Sequence, residues 1–176
     1  MIILETERLI LRQWQPDELP TLHGILGTLP TMQFWPAPFT LEQSERWLRR
    51  SLETYAATAN TLGRWATVLK ESGKVIGDCG LIESEVNGVV ENDLGYIIHA
   101  DHWRKGYATE GARAIRDYGL ATLQLPRIVA NMACDHHGSA RVAQTIGMTL
   151  EKEFLNQKNR GFRTFLYAAE RASDHP

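Results

Sequence analysis

At Gly63 the spacing of apolar residues changes from a helical interval to an alternation of period two. The alternation holds through three successive segments, residues 64–69, 75–82 and 93–99. A turn at "ESGK" and a looser one around Asn87 and Gly88 join them, and such short connections make antiparallel neighbours. A sheet must therefore form in the middle of the chain, and the flanking segments must cover it.

Those flanks read as follows. Residues 8–14 (RLILRQW) alternate and end before Pro16, which predicts a first strand. Apolar residues from Leu19 to Leu26 have helical spacing, and Pro16, Asp17 and Glu18 suit the first turn of that helix. "PAPF" interrupts the chain; Thr40 and Gln43 then supply an N-cap and its capping-box partner for a helix through Trp47, Leu48 and Leu52 toward Ala59. After the three strands, residues 106–123 carry Tyr107, Gly111, Ala114 and Tyr118 on one stripe with Ala108, Ala112 and Ile115 beside it, small enough for close approach to a sheet. Pro126 ends that helix, and residues 127–134 (RIVANMAC) form a strand free to run parallel to its predecessor. A short helix at 139–146, closed by Gly147, precedes a hairpin of 148–156 and 162–168 around "QKNRG". The expectation is an α/β (α+β) fold: a mixed, mostly antiparallel sheet of about seven strands with four helices, in the order β-α-α-β-β-β-α-β-α-β-β. It forms one domain over residues 1–169, with a polar tail at 170–176 expected to fray.

A chain of 176 residues suffices for one buried core. Its net charge of −2 gives no global attraction to nucleic acid or anionic membrane, so any anion site must be local. Apolar runs are short; Met1 to Leu4 is followed at once by Glu5, Glu7 and Arg8, which suits neither a signal peptide nor a membrane span. Cys79 and Cys134, each in an apolar stretch, point to a reduced cytoplasmic protein without a disulfide framework, with one internal bridge as the alternative.

The stretch "WRKGYATEGARA" offers a candidate for such a local anion site. A helix starting near Gly106 exposes unpaired N–H groups, Gly106 leaves room for an approaching phosphate, Ala108 is nearly as small, and Arg104 and Lys105 add positive charge. The competing reading is an ordinary glycine-started surface helix with solvated charges. No complete G-x-G-x-x-G or Walker loop is present, which lowers the case for NAD or ATP.

Together with "DLGYIIH" at 93–99 before it and "VANMACDHHGSARVAQTIGM" at 129–148 after it, this stretch resembles the GNAT superfamily of acetyl-CoA-dependent acetyltransferases. The opening "LETERLILRQW" is similar to the RimJ/RimL branch, which acetylates ribosomal-protein N-termini. The resemblance implies that Arg104, Lys105, Gly106, Tyr107, Ala108 and Thr109 receive the pyrophosphate of acetyl-CoA, and that the strand carrying Ile97 and Ile98 splays from the next to pair with the pantetheine arm. The chain departs from the family in several places. Trp103 stands where Gln or Arg usually opens the motif, and Arg104 where the branch often has glycine. His136 replaces the usual asparagine beside the pantetheine arm, and Ala143 replaces a tyrosine that serves other members as the acid.

For the chemistry, the resemblance makes Asp93 the general base and Ser139 the group supporting the departing thiolate, with Ser139 and His136 also facing the cofactor. Glu91 is an alternative base, and Glu110, also common in the family, is accounted for equally by the helix dipole. A helix N-cap is the competing explanation of Ser139. Four histidines, His99, His102, His136 and His137, invite a zinc reading, but an adjacent pair is awkward for one ion and no metal is expected. Trp14 and Trp65 suit the core; Trp35 sits where the family forms its acceptor groove, in the region from Leu22 to Ala59. The expected reaction is acetyl transfer from acetyl-CoA to a primary amine, foremost the N-terminal α-amine of a peptide or protein, by a monomer or homodimer. The alternatives are a small amine acceptor, such as an amino acid, polyamine or antibiotic, and a CoA-binding protein without catalysis.

Overall fold

The computed structural model of the chain describes residues 1–172. Eight strands form one sheet: β1 (Ile2–Glu5), β2 (Leu9–Arg12), β3 (Gly63–Leu69), β4 (Val75–Val86), β5 (Val89–Ile98), β6 (Arg127–Ala133), β7 (Thr149–Asn156) and β8 (Phe162–Glu170). Five α-helices accompany them: α1 (Leu19–Leu26), α2 (Leu29–Met32), α3 (Leu41–Ala57), α4 (Tyr107–Asp117) and α5 (His137–Thr145). The expected seven strands and four helices are thus one short in each class. The extra strand, β1, is the N-terminal apolar run, which folds back on β2 with Leu4 opposite Leu11 and Glu5 opposite Ile10. Four residues are too few to show a period. The extra helix, α2, is a single turn with a proline in it, between Gly27 and "PAPF", and it too lies below the reach of pattern reading.

One local expectation, the cap of α3, holds in detail, and others are corrected. Thr40 and Gln43 form the reciprocal cap of α3, with Gln43 N–H donating to Thr40 Oγ1 at 3.2 Å and Thr40 N–H to Gln43 Oε1 at 2.8 Å. Residues 16–18 form a short 3-10 turn ahead of α1 rather than its first turn. The connection at Asn87 and Gly88 is tight instead of loose: both residues have positive φ, 50° and 80°, and Val86 pairs directly with Val89. Residues 83–92, read as a loose connection, therefore extend the hairpin. At the other end, β8 runs to Glu170, and Arg171 N–H donates to the Pro126 carbonyl at 3.0 Å, so the start of the stretch expected to fray is held by the sheet. Residues 173–176 lie outside the described residues.

The sheet order is β1-β2-β3-β4-β5-β6-β8-β7. Every neighbouring pair is antiparallel except β5 and β6, which are parallel and meet at one register position, Asp93 opposite Val129. By contrast, β4 and β5 stay paired from Gly77/Ile98 to Val86/Val89. Beyond Asp93 the two central strands diverge, leaving the backbone of residues 94–98 without a partner strand on the β6 side.

Each face of the sheet has its own core. On one, Trp14, Leu22, Ile25, Leu26, Met32 and Leu48 pack against Ala66, Val68 and Ile97. On the other, Ile115 of α4 and Ala140, Ala143 and Ile146 of and beside α5 pack against Leu9, Leu11, Trp65, Leu81 and Leu94. The contact face of α4 centres on Gly111, Ala112 and Ile115 rather than on the stripe through Ala114. Fully burying a side chain such as Ile115 contributes about 1.5–3 kcal/mol. Trp14 and Trp65 lie in these cores, 1% and 0% exposed. No helix among the described residues is long and apolar enough to cross a membrane.

Candidate active site

The divergence of β5 from β6 opens a cleft of about 800 Å³. Aromatic side chains of the segment before and within α3, Phe34, Trp35, Phe39 and Trp47, wall one side, and Asp93, Tyr96, His136 and Ser139 line its inner part. Trp35, Phe39 and Trp47 meet edge to face at 5.5–5.9 Å between ring centroids, a mutually supporting cluster. Asn159 Nδ2–H donates to the Phe34 carbonyl at 3.0 Å and Arg160 Nη2–H to the Trp35 carbonyl at 2.8 Å, so the β7–β8 turn bridges the cleft to its aromatic wall.

Asp93 lies where the central strands part. Its carboxylate accepts from Ser84 Oγ at 3.1 Å and from Asn131 Nδ2 at 3.2 Å. Removal from water pushes this carboxyl above the usual range; Ser84, Arg64 and Asn131 oppose the shift and nearby Glu91 adds to it. Glu91 is turned away, 3.3 Å from Arg127, and does not line the cleft. The geometry separates the two acids that the sequence leaves as rivals.

Ser139 is buried within the first turn of α5. Its hydroxyl donates to Tyr96 Oη at 3.0 Å, and Tyr96 Oη–H donates in turn to the Ser139 carbonyl at 2.9 Å. Burial holds the Tyr96 phenol well above its usual range, so it keeps its proton. Sequence reasoning missed Tyr96, although "DLGY" displayed it; only the fold reveals that the strand and α5 converge there. The position where other family members carry a tyrosine, Ala143, is fully buried in the core. His136 caps α5, its Nδ1 accepting from Ser139 N–H at 3.4 Å, and its ring stacks on Phe34 with centroids 3.8 Å apart. Burial depresses its pKa to about 4, so it is neutral near pH 7. The capping role is one asparagine also fills.

The residues expected to meet the pyrophosphate form a separate group at the start of α4, outside the cleft lining. Gly106 is the N-cap at φ 81°, and the first intrahelical bond runs from Glu110 N–H to Gly106 C=O at 3.0 Å, so the N–H groups of Tyr107, Ala108 and Thr109 precede the helical ladder. Arg104 also has a left-handed backbone, φ 61°, which accounts for glycine being favoured there. Arg104 and Lys105 are exposed. Tyr107 turns its ring beneath the Arg8 guanidinium, 4.6 Å away. Arg8 Nη1–H donates to the Lys105 carbonyl at 2.9 Å, while Glu110 accepts from Thr6 Oγ1 at 2.5 Å, Arg8 N–H at 2.8 Å and Arg8 Nε at 2.7 Å. Glu110 is thus the tie between the β1–β2 turn and the α4 loop, a role that the dipole argument does not contain. An open helix start, a left-handed approach and exposed cations fit a diphosphate.

Ile97 and Ile98 are both buried, and of the two only Ile97 lines the cleft. The Ile98 carbonyl accepts from the Trp103 indole N–H at 2.7 Å, which gives Trp103 a structural purpose. His99 and His102 lie 6.4 Å apart by ring centroid, and no group of three His, Cys, Asp or Glu among the described residues is placed to hold a metal ion. Both cysteines are free thiols, Cys79 buried and Cys134 partly so.

Comparison with known proteins converges on one family. The acetyltransferase (GNAT) domain family matches residues 8–149. The uncharacterized protein YkkB of Bacillus subtilis strain 168 is 29% identical over 150 residues, 85% of this chain and 86% of YkkB. The acetyltransferase of Agrobacterium tumefaciens strain C58 superposes with a TM-score of 0.80 at 26% identity, covering 96% of this chain and 94% of that one. RimL, the ribosomal L7/L12 α-N-protein acetyltransferase in complex with coenzyme A, shares the fold, with a TM-score of 0.79 at 15% identity over 99% of this chain and 100% of that one.

Proposed function

Since the chain belongs to the GNAT family of acetyltransferases, enzymes that take acetyl from acetyl-CoA, we propose that its acceptor is the N-terminal α-amine of a peptide or protein. The observation that carries this reading is the convergence of Asp93, Ser139 and an aromatic wall on one cleft at the parting of β5 and β6. The fold shared with RimL supports an acceptor of the same kind, and the free thiols support a reducing, cytoplasmic setting.

Acetyl-CoA, when bound, supplies the thioester that the amine attacks. In this proposal the N–H groups of Tyr107, Ala108 and Thr109, with Arg104 and Lys105, hold its diphosphate, and the open edge of β5 receives the arm along Ile97. Asp93, held by Ser84 and Asn131, accepts the proton of the incoming amine. Its raised pKa narrows the gap to the amine and strengthens it as a base. Ser139 turns its hydroxyl from Tyr96 toward the leaving thiolate, and Tyr96 holds the serine in position. An α-amine has a reference pKa near 7.7–8.0 against about 10.4 for lysine, so far more of it is neutral near pH 7 and one carboxylate suffices.

The test follows CoA thiol release from peptides beginning with Ser, Ala or Thr, from the same peptides blocked at the N-terminus but bearing a free lysine, and from spermidine and an aminoglycoside. Preferential turnover of the free N-termini is expected, and preferential turnover of lysine or the small amines overturns the choice of acceptor. With the preferred substrate, Asp93→Asn and Ser139→Ala should each lower kcat by roughly 10- to 1000-fold with little change in acetyl-CoA affinity. An unchanged kcat in Asp93→Asn would remove the base from that position.

A further inference from the structure

Strand β3 is buried along its whole length and yet contains an arginine. Arg64 is 7% exposed. Its Nε donates to Asp78 Oδ2 at 2.8 Å and its Nη2 to the Asp78 carbonyl at 2.8 Å, while Asp78 also accepts from the indoles of Trp14 at 2.8 Å and Trp47 at 3.1 Å. This network compensates the buried pair and fixes the guanidinium. One end of it remains free: Nη1 makes no hydrogen bond among the described residues. Arg64, Gly80 and Gly95 share one cross-strand row of the sheet, and a Cβ on Gly95 would fall 1.8 Å from Nη1, so the guanidinium reaches Gly95 only because that residue has no side chain. Arg64 and Gly95 both line the cleft.

The free donor stands on a definite side of the reaction. Asp93 precedes Gly95 by two residues on β5 and so shares its face of the sheet, whereas Tyr96, which holds Ser139, points to the opposite face. Arg64 lies under Trp47, 5.4 Å from its ring, on the side of the aromatic wall. The amine side of the cleft therefore offers a proton acceptor and, over Gly95 two residues along the strand, a fixed N–H donor open to the cleft. Nη1 is not among the fully enclosed unpaired polar atoms, so it opens onto the cleft; the charge of Arg64 is already balanced by Asp78, so this donor suits an oxygen atom rather than a counterion.

Resting on the acetyltransferase reading above, we propose that Nη1 of Arg64 receives an oxygen carried on the carbon next to the amine-bearing carbon, so that the acceptor is an α-amino acyl unit, N–C–C=O. Such a unit, hydrogen-bonded at its nitrogen and its oxygen, spans about 8 Å, comparable to the two-residue step of about 7 Å from Asp93 to Gly95 along β5. Amines without that oxygen, including lysine side chains and polyamines, leave the donor unpaired and are discriminated against. The oxygen has two sources, the first carbonyl of a peptide or the carboxylate of a free amino acid.

The experiment compares alaninamide, an alanine-initiated peptide, free alanine and isopropylamine, with kcat/KM referred to the neutral amine so that pKa differences cancel. The expected result is a preference of roughly 10- to 100-fold for the oxygen-bearing substrates over isopropylamine, the range of a hydrogen bond to a charged group. Arg64→Lys keeps a cation for Asp78 and removes the second amino group of the fork; it should reduce the ratio of oxygen-bearing to oxygen-free substrates to a few-fold. Peptide above free alanine assigns the oxygen to a carbonyl, and the reverse assigns it to a carboxylate. Equal values for isopropylamine and alaninamide in the wild type overturn the proposal and leave acetyl transfer intact, and this comparison needs no variant to fold. A preference that survives in a folded Arg64→Lys overturns it as well, while absence of turnover with every one of these amines overturns the α-amine acceptor reading on which it rests.

Discussion

Truncating Glu110 should damage both stability and cofactor affinity, because this carboxylate is where the N-terminal hairpin grips the start of α4. In Glu110→Ala three hydrogen bonds are lost, from Thr6 Oγ1, Arg8 N–H and Arg8 Nε. The Arg8 side chain is 43% exposed, so its ionic part is screened and contributes about 0.5 kcal/mol. The two remaining bonds to a mostly buried carboxylate contribute about 1–1.5 kcal/mol each, for a total near 2–4 kcal/mol. At about 2–4 °C per kcal/mol for a domain of this size, the melting temperature should fall on the order of 10 °C. Arg8, released from Glu110, no longer pins the Lys105 carbonyl, and freeing one loop residue costs about 1–2 kcal/mol to reorder, so acetyl-CoA should bind roughly 10-fold more weakly. Urea denaturation and calorimetric titration read the two effects separately. Burial works against the charged form of Glu110, but its hydrogen bonds from Thr6 and Arg8 prevail and hold the pKa below the usual carboxylate value. Its contribution is therefore complete above pH 4.5 and is lost as pH falls through the lower folded value, so the stability gap between wild type and variant should close in acid. A variant with wild-type midpoint and wild-type affinity would refute the idea that this tie organises the loop.

Gly106→Val should abolish acetyl-CoA binding, since φ 81° excludes a β-branched residue and the side chain would stand over the open N–H groups; near wild-type affinity by calorimetry would displace the diphosphate from this loop. Arg104→Gly should stabilise the fold by about 0.5–1 kcal/mol, because the left-handed backbone costs a non-glycine residue about 1–2 kcal/mol and glycine's extra unfolded entropy returns part of it; a lower urea midpoint would contradict this. His136, with its pKa near 4 in the fold against 6.5 ordinarily, must stay neutral to remain buried on Phe34, so it adds stability above pH 6.5 that is lost as pH falls toward 4. His136→Asn, which keeps a cap without a titrating group, should flatten that part of the stability–pH curve, and an unchanged slope would exclude His136 as its source.

What the sequence determined by itself was whatever local pattern and local chemistry control. Alternation from Gly63 onward forced the central hairpins, Thr40 and Gln43 announced the start of α3, and Gly106 after two cations marked the open beginning of α4. These signals are legible because a strand period, a capping box or a left-handed N-cap involves residues a few positions apart. Segments of four residues, β1 and α2, escaped because they are shorter than the period that would reveal them, and the tight turn at Asn87 and Gly88 was read too loosely because the strands on either side of it turn polar. Within the site, Asp93 and Ser139 were singled out as separate positions, with Asp93 preferred over Glu91 from the resemblance; that Arg127 holds Glu91 away from the cleft is visible only in the fold. Tyr96 beside Ser139, Arg8 and Thr6 on Glu110, and the Arg64 donor over Gly95 join residues 43, 102, 104 and 31 positions apart in the chain. No spacing rule reaches across such distances. They meet only because the sheet lays β3, β4 and β5 side by side and because β5 and β6, paired at Asp93 alone, part to let α5 and the aromatic wall close on the gap.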